Sequence, residues 1–242
     1  MPAQIYNISQ EMLNDENYFK EQIRDNTTNN YYWSENWDEW FYVELAKKGF
    51  ISTSYDTKDG LVLLPELQYE YSILDFYNLH ISKKVQKLIK KDDAILSFNT
   101  SFTEVLQGFS KQHKYNWLKD EYVNLMKNIY KNNNNFENFE LVSVELISKD
   151  NNKLIAGEIG YIIGKTYTSL SGFSSKENIY NNYGTLQLVL LAKHLQEKGF
   201  SFWNLGHPHM TYKQKLGAKT YSREAFLQRW EKEIKNDALY IY

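Results

Sequence analysis

The fold is decided by two neighbouring runs of sequence, GEIGYIIGKTYTSL at residues 157–170 and YGTLQLVLLAKHLQEKGFSFWNL at residues 183–205. The first run contains two short β-friendly segments, Glu158–Tyr161 and Thr166–Leu170. Gly164 separates them, as a turn glycine separates the strands of a hairpin. This run therefore predicts two antiparallel neighbours in a sheet.

The second run predicts a crossover between two strands. A helix is expected over Tyr183–Lys198 and ends at Gly199, after a polar loop over residues 171–182. The helix is apolar nearly all round, so it should be buried against a sheet. Phe200–Leu205 is the next predicted strand. Antiparallel hairpins combined with one crossover helix indicate an α+β (mixed α/β) architecture.

The turn after this strand carries the residues best suited to chemistry. Asn204 is followed by His207 and His209, and Pro208 stiffens the turn between the two histidines. Functional residues of such sheets commonly lie at the carboxyl ends of strands, and a histidine with a pKa of about 6.5 can accept a proton. We predict His207, Asn204 and His209 as catalytic candidates, with a purely structural turn as the alternative. No third ligand stands at a familiar spacing, so no metal is predicted.

The composition of the chain excludes several classes of functional site. The chain has 242 residues and no cysteine, which removes disulfides, thiolate metal sites and cysteine nucleophiles. A net charge of −2 argues neither for nor against a nucleic-acid partner. The N-terminus lacks a signal-peptide pattern, and no apolar stretch of about 18 residues is present. We expect a cytoplasmic protein that needs no cofactor and does not contact a membrane.

Two groups of lysines are candidates for binding a polyanion. Lys83, Lys84 and Lys87 lie on a short predicted helix, and Lys213 and Lys215 follow the histidine turn. Phosphates of a nucleic acid would pair with such groups. A solvated helix face is the commoner meaning of the first group.

The chain is predicted to divide into two portions. Residues 1–75 form an aromatic-rich α+β portion, in which Asp59-Gly60 predicts a hairpin turn. Residues 76–242 form the larger portion, which contains the crossover helix. The sequence gives no indication of oligomeric state.

Several motifs stand in one order along the chain. They are NLHISKK at 78–84, FNTSFTEVLQG at 98–108, WL at 117–118, LGA at 216–218 and SREAFL at 222–227. In this order, over roughly residues 40–230, they resemble the leucyl/phenylalanyl-tRNA–protein transferases. Leu205-Gly206 and Met210-Thr211-Tyr212-Lys213 are also similar to a motif of the arginyl- and aspartate/glutamate-leucyl-transferases. The resemblance implies an acetyltransferase-like (GNAT-like) fold.

The chain departs from the family pattern at two places. Where the family has Gly-Glu-Ser-Met-Phe-Ser, this chain has Ser169-Leu170-Ser171-Gly172-Phe173-Ser174, so Leu170 stands in place of the acid. Where the family has Asp-x-Gln, this chain has Asn204-Leu205-Gly206. By resemblance, the family's acid helps to hold the basic N-terminal residue of the acceptor protein.

The resemblance implies an aminoacyltransferase. It would move an amino acid, Leu- or Phe-like, from the 3′ end of aminoacyl-tRNA to the N-terminal α-amine of an acceptor protein, as in N-degron turnover. The implied tRNA-binding residues are the five lysines named above. The implied substrate-binding residues are Trp117, Tyr167, Ser169, Leu170, Ser171, Phe173, Gly206 and Tyr212. Two alternatives remain: an inactive relative that binds tRNA or protein N-termini, and a GNAT-like acyltransferase with another donor.

Overall fold

A seven-stranded mixed sheet forms the centre of the fold. The structure is a computed structural model that describes residues 5–112 and 117–242. For residues 110–112 it describes the backbone alone. The strands of the chain are β1 (Tyr6–Asn7), β2 (Tyr32–Trp33), β3 (Ile51–Thr57), β4 (Gly60–Glu66), β5 (Glu70–Leu74), β6 (Ala94–Phe98), β7 (Phe139–Ser148), β8 (Leu154–Ile163), β9 (Thr166–Ser174), β10 (Phe202–Asn204) and β11 (Lys219–Ser222). The large sheet has the order β11-β5-β10-β9-β8-β7-β6. Its one parallel pair within the described residues is β9 with β10.

The helices pack on both faces of this sheet. They are α1 (Gln10–Asn14), α2 (Glu16–Tyr18) continuing into a π-helical segment (Phe19–Arg24), α3 (Glu39–Lys47), α4 (Lys83–Lys91), α5 (Phe102–Gln112), α6 (Asp120–Lys131), α7 (Tyr183–Glu197), α8 (Thr211–Leu216) and α9 (Arg223–Glu233). The crossover helix α7 joins the parallel strands β9 and β10, which confirms the predicted α+β architecture. None of the described helices is both long and apolar enough to cross a bilayer.

Alternate residues of β8 and β9 feed two separate cores. Ile159 and Tyr161 join the core that includes Phe41 of α3 and Trp230 of α9. Tyr167 joins the opposite core, together with the buried side chains of α7. This alternation is the two-residue period of a strand covered on both faces, and it explains why β8 is apolar almost throughout.

Strand β9 is longer than predicted. Ser171–Ser174 was expected to begin a polar loop, but these residues continue the strand, with Ser171 paired to Ile159 and Phe173 to Gly157. Pairing with β8 satisfies the backbone hydrogen-bonding groups, so a polar run can remain extended there. Ser169 pairs with Gly160, so Leu170 is the extra residue of a β-bulge.

The N-terminal portion is joined closely to the rest of the chain. β5, which precedes the predicted boundary at residue 75, lies inside the large sheet between β11 and β10. Arg223 is buried, and its guanidinium donates to the carbonyls of Asn29 and Leu67 at 2.9 and 2.6 Å. The division into 1–75 and 76–242 stays a prediction, and the structure assigns β5 to the large sheet.

Candidate active site

An open cavity of about 580 Å³ lies between β8, β9 and the start of α7. The residues that form its wall are Trp117 and those at positions 157, 158, 169–174, 184, 185, 187, 188, 205, 210, 212 and 213. A volume of several hundred Å³ with mixed apolar and polar lining is typical of a small-molecule site. The cavity therefore marks the candidate active site.

Two aromatic rings give the cavity its apolar side. Trp117 packs edge-on against Tyr122, with ring centroids 4.9 Å apart. Phe173 lies over two glycines: a Cβ at Gly108 would be 2.5 Å from its ring, and one at Gly157 would be 2.8 Å away. Because these glycines have no side chains, the ring fits between α5 and β8. The structure thus brings together Trp117 and Phe173, both of which were predicted to bind substrate.

A buried carboxylate gives the cavity its polar centre. Glu158 is 4% exposed and lines the cavity from β8. Its Oε1 accepts hydrogen bonds from Tyr167 Oη at 2.7 Å and Ser169 Oγ at 2.8 Å. Ser169 Oγ also accepts one from Trp203 Nε1 at 2.8 Å. Burial raises the pKa of Glu158 to about 7, although the two hydroxyl donors act against this.

The predicted residues Leu170, Ser171 and Tyr212 also lie in the cavity wall. Tyr167 reaches the site through its bond to Glu158. Gly206 does not line the cavity among the described residues; its φ of +71° and its proximity to Ile51 fit a tight turn.

The comparisons with known proteins bear on this part of the chain. A family model described as leucyl/phenylalanyl-tRNA protein transferase matches residues 73–231, about two thirds of the chain. This chain belongs to that family. The resemblance seen in the motifs is confirmed. So is the acetyltransferase-like arrangement expected with it, since β9 and β10 run parallel on either side of α7 in an otherwise antiparallel sheet.

Relatives within the leucyl/phenylalanyl-tRNA–protein transferase family are distant. The chain is 28% identical to the Pseudomonas putida member over 151 residues, 61% of each protein. It is 28% identical to the Lawsonia intracellularis member over 176 residues, 69% of this chain and 65% of the relative. The chain thus spans less than two thirds of the length of these curated relatives. A solved structure of FemX has a TM-score of 0.48 and 12% identity, covering 75% of this chain and 66% of that protein.

The three predicted catalytic residues lie beside the cavity, and none of them is among the described residues that form its wall. Asn204 is buried; its Oδ1 accepts from Gly206 N–H at 3.0 Å, and its Nδ2 is 3.4 Å from Thr168 Oγ1. His207 Nε2 is 2.7 Å from Glu66 Oε2, and the ring stacks on His209 at 5.7 Å. Their catalytic role stays a prediction.

The predicted tRNA-binding lysines are in two different environments. Lys83, Lys84 and Lys87 are exposed on α4, and Lys215 is exposed on α8. Lys213 is 4% exposed and lines the cavity, and its Nζ donates to the carbonyls of Leu205 and His207. An exposed phosphate contact through Lys213 does not fit this burial. The structure places its ammonium group in the cavity wall instead, where burial lowers its pKa to about 8.

Sequence reasoning missed Glu158, although a signal was present. Glu158 is the one charged residue of the β8 run LIAGEIGYII, and acids are seldom buried without a reason. The described residues contain no cluster of three or more His, Asp or Glu side chains placed to hold a metal ion.

Proposed function

We propose that this protein transfers an amino acid from aminoacyl-tRNA to the N-terminal α-amine of an acceptor protein, as an enzyme of cytoplasmic N-degron turnover. One observation carries the proposal. The family match over residues 73–231 contains all of the segments that build the cavity, including β8, β9, the start of α7 and the stretch 205–213. The part of the chain that matches the family is therefore the part that forms the site.

The cavity wall supports an apolar aminoacyl group. Leu170, Phe173, Leu188 and Met210 supply apolar surface, and the volume of about 580 Å³ is large enough for a side chain of the size of Leu or Phe. Burying such a side chain contributes about 1.5–3 kcal/mol of binding free energy. We propose a Leu- or Phe-like donor on this basis.

The exposed lysines support a tRNA partner. Lys83, Lys84 and Lys87 project from consecutive turns of α4, and no ion pair occupies them among the described residues. We propose that they contact phosphates of the acceptor stem, with Lys215 on α8 as a further contact.

The chemistry asks little of the protein beyond positioning and one proton acceptor. An aminoacyl ester is already activated, and an α-amine has a pKa of about 7.7–8.0, so a weak base is sufficient. Holding the amine and the ester carbonyl in a near-attack geometry supplies most of the remaining rate.

A transfer assay tests the proposal. The purified protein is mixed with total tRNA charged with labelled amino acids and with peptides that differ only at residue one. A matched reaction contains the same tRNA deacylated, together with the free labelled amino acids. Label on a peptide only with charged tRNA would support the transferase and identify donor and acceptor together.

Two other results identify the alternatives. No label on any peptide, with charged tRNA intact and a folded far-UV circular dichroism spectrum, would contradict the enzyme. Retained binding of charged tRNA would then indicate an inactive relative, and peptide acylation from acetyl-CoA would indicate a different donor.

A further inference from the structure

Glu158 is a buried carboxylate in a cavity wall, without a cationic partner among the described residues. Glu145, another buried acid, differs from it. Glu145 accepts from Ser143 Oγ at 2.5 Å and from Thr100 Oγ1 at 3.2 Å, and it does not line the cavity as described. Burying an ionised carboxylate is costly unless it is both hydrogen-bonded and paired with a cation, and Glu158 has the hydrogen bonds but no cation among the described residues. Glu158 is therefore a candidate for contact with substrate.

The hydrogen bonds of Glu158 distinguish its two oxygens. Tyr167 Oη and Ser169 Oγ both donate to Oε1. Trp203 Nε1–H already donates to Ser169 Oγ, so the serine's own proton is directed at Glu158. No hydrogen bond from the described residues reaches Oε2, and Oε2 is not one of the fully buried polar atoms that lack a hydrogen-bond partner. Oε2 is thus the oxygen available to a molecule in the cavity, and a proton taken up by the carboxylate would lie on it.

Glu158 lies on the strand next to Leu170, the position at which this chain lacks the family's acid. The family's motif has an acid where this chain has Leu170, on β9. Glu158 lies on the adjacent strand β8, paired with Gly172 two residues beyond Leu170, and both residues line the same cavity. Leu170 packs against the core that contains Ile159, whereas Glu158 bonds to Tyr167 of the opposite core. This chain therefore has an acid in the wall of the cavity, on the strand next to the one that carries Leu170.

We propose that Glu158 supplies the carboxylate of this site and accepts the proton of the acceptor's α-ammonium group, a proposal that rests on the proposed transfer to an α-amine. Oε2 first pairs with the ammonium group and then takes one of its protons. The amine lone pair attacks the ester carbonyl carbon, forming the C–N bond. The bond from that carbon to the ribose 3′-oxygen breaks, and a second proton of the nitrogen passes to the leaving oxygen. Glu158 finally releases its proton to solvent.

The surroundings of Glu158 suit this exchange. Burial brings its pKa to about 7, close to that of an α-amine. Among the described residues, Tyr167 from β9 donates to it, and exposed Tyr212 from α8 is close enough to interact with it electrostatically. Buried Lys213 lines the same cavity, with its ammonium held by backbone carbonyls. None of them forms an ion pair with Glu158, so the ammonium of the acceptor would be its first cationic partner.

The test compares Glu158→Gln with a double variant. Glutamine keeps the size of the side chain and an oxygen acceptor for Tyr167 and Ser169, but it cannot accept the proton. We expect Glu158→Gln to lower kcat for peptide aminoacylation at least about a hundredfold. Adding Leu170→Glu to Glu158→Gln should restore at least about a tenth of the activity, because it returns an acid to the lining of the same cavity. Glu140→Gln is the matched control, because Glu140 is a half-buried β7 acid with a pKa of about 7 that does not line the cavity as described.

A binding measurement separates failure of this proposal from failure of the proposed function. Titration calorimetry compares the same peptides with a free and with an acetylated N-terminus. Wild-type protein should prefer the free amine, and Glu158→Gln should abolish that preference, whether or not transfer occurs. A wild-type protein that shows this preference without turnover would contradict the transferase and support the role of Glu158. Equal binding of both peptides by wild type and variant, or full turnover by Glu158→Gln, would overturn the role of Glu158.

Discussion

His207 Nε2 lies 2.7 Å from Glu66 Oε2, which joins the histidine turn to the end of the N-terminal hairpin. Glu66 is buried, and its other oxygen accepts from Asn30 Nδ2 at 2.8 Å. The imidazole is thus engaged across 141 residues of sequence, and His209 stacks against it. A ring in this arrangement holds two parts of the chain together.

Replacing His207 by alanine tests this against the predicted catalytic role. The change leaves the buried Glu66 with one partner fewer, so the free energy of unfolding should fall by about 1–2 kcal/mol. We expect Glu158→Gln to lower kcat at least about tenfold more than His207→Ala does, because only Glu158 lines the cavity. The reverse order, measured in parallel transfer assays, would assign the proton acceptor to His207.

The rate of transfer should depend on pH through Glu158. With a pKa of about 7, the carboxylate becomes able to accept a proton as the pH rises through 7, so kcat/KM should increase between pH 6 and pH 8. Buried Lys213, with a pKa of about 8, loses its charge above that value and could limit the rise. Glu158→Gln should remove the dependence centred near pH 7, whereas Glu140→Gln should keep it. An unchanged pH profile in Glu158→Gln would show that another group causes the increase in kcat/KM between pH 6 and pH 8.

The same pKa shift has a consequence for stability. The folded state raises the pKa of Glu158 from 4.5 to about 7, so it holds the proton more tightly than the unfolded chain does. The resulting stabilisation is complete below pH 4.5 and is lost as the pH rises to 7. Glu158→Gln has no such loss, and its stability relative to wild type should improve by on the order of 2–3 kcal/mol between pH 5 and pH 8.

Urea unfolding at the two pH values measures this difference. A matched series on Glu140→Gln corrects for the second acid with a pKa of about 7. A stability difference between Glu158→Gln and wild type that stays constant from pH 5 to pH 8 would show that Glu158 is not held protonated by its burial.

The parts of the fold that could be predicted are those with a local pattern. The short helix predicted to carry Lys83, Lys84 and Lys87 is α4 (Lys83–Lys91), and the crossover helix α7 begins where predicted and ends one residue earlier than expected. In each of these elements the apolar periodicity, the capping residue or the terminating residue lies within a few positions of the sequence. Ser171–Ser174 has no such local signal, because only the pairing with β8 keeps it extended.

The site was harder to predict because its geometry depends on register. The sequence marked the aromatic residues Trp117 and Phe173, which do line the cavity, through the family resemblance. It did not show that Glu158 would face Tyr167 and Ser169, since this depends on how β8 pairs with β9. Likewise, the burial of Lys213 depends on carbonyl groups of a turn whose path cannot be read from residue types.

Arg223 offers a prediction about the junction of the two portions. Its guanidinium donates to the carbonyls of Ile23, Asn26, Asn29, Leu67 and Gln68. Lysine has three donors and no planar fork, so Arg223→Lys would leave buried carbonyls unpaired and should lower the free energy of unfolding by about 3 kcal/mol. Arg24→Lys, at the partly exposed pair with Glu231, should cost under about 1 kcal/mol. Equal losses in urea unfolding would contradict the structural role of Arg223.

Gly108 allows a test of how the cavity depends on the fit of Phe173. Alanine is favoured over glycine inside a helix by about 1 kcal/mol, but here its Cβ would be 2.5 Å from the ring of Phe173. The ring must move, so Gly108→Ala should show a net loss of about 1–2 kcal/mol in the free energy of unfolding. Because the ring forms part of the cavity wall, KM for charged tRNA should rise by about threefold or more, the effect of losing roughly 0.7 kcal/mol of binding.

Thr103→Ala is the matched control for this change, since Thr103 is exposed on the same helix and gains helix propensity without meeting the ring. It should leave KM unchanged and keep or slightly raise stability. If Gly108→Ala behaves like Thr103→Ala in both measurements, the position of Phe173 does not govern binding of the donor. The apolar contribution to donor binding would then come from Trp117, Leu170, Leu188 and Met210.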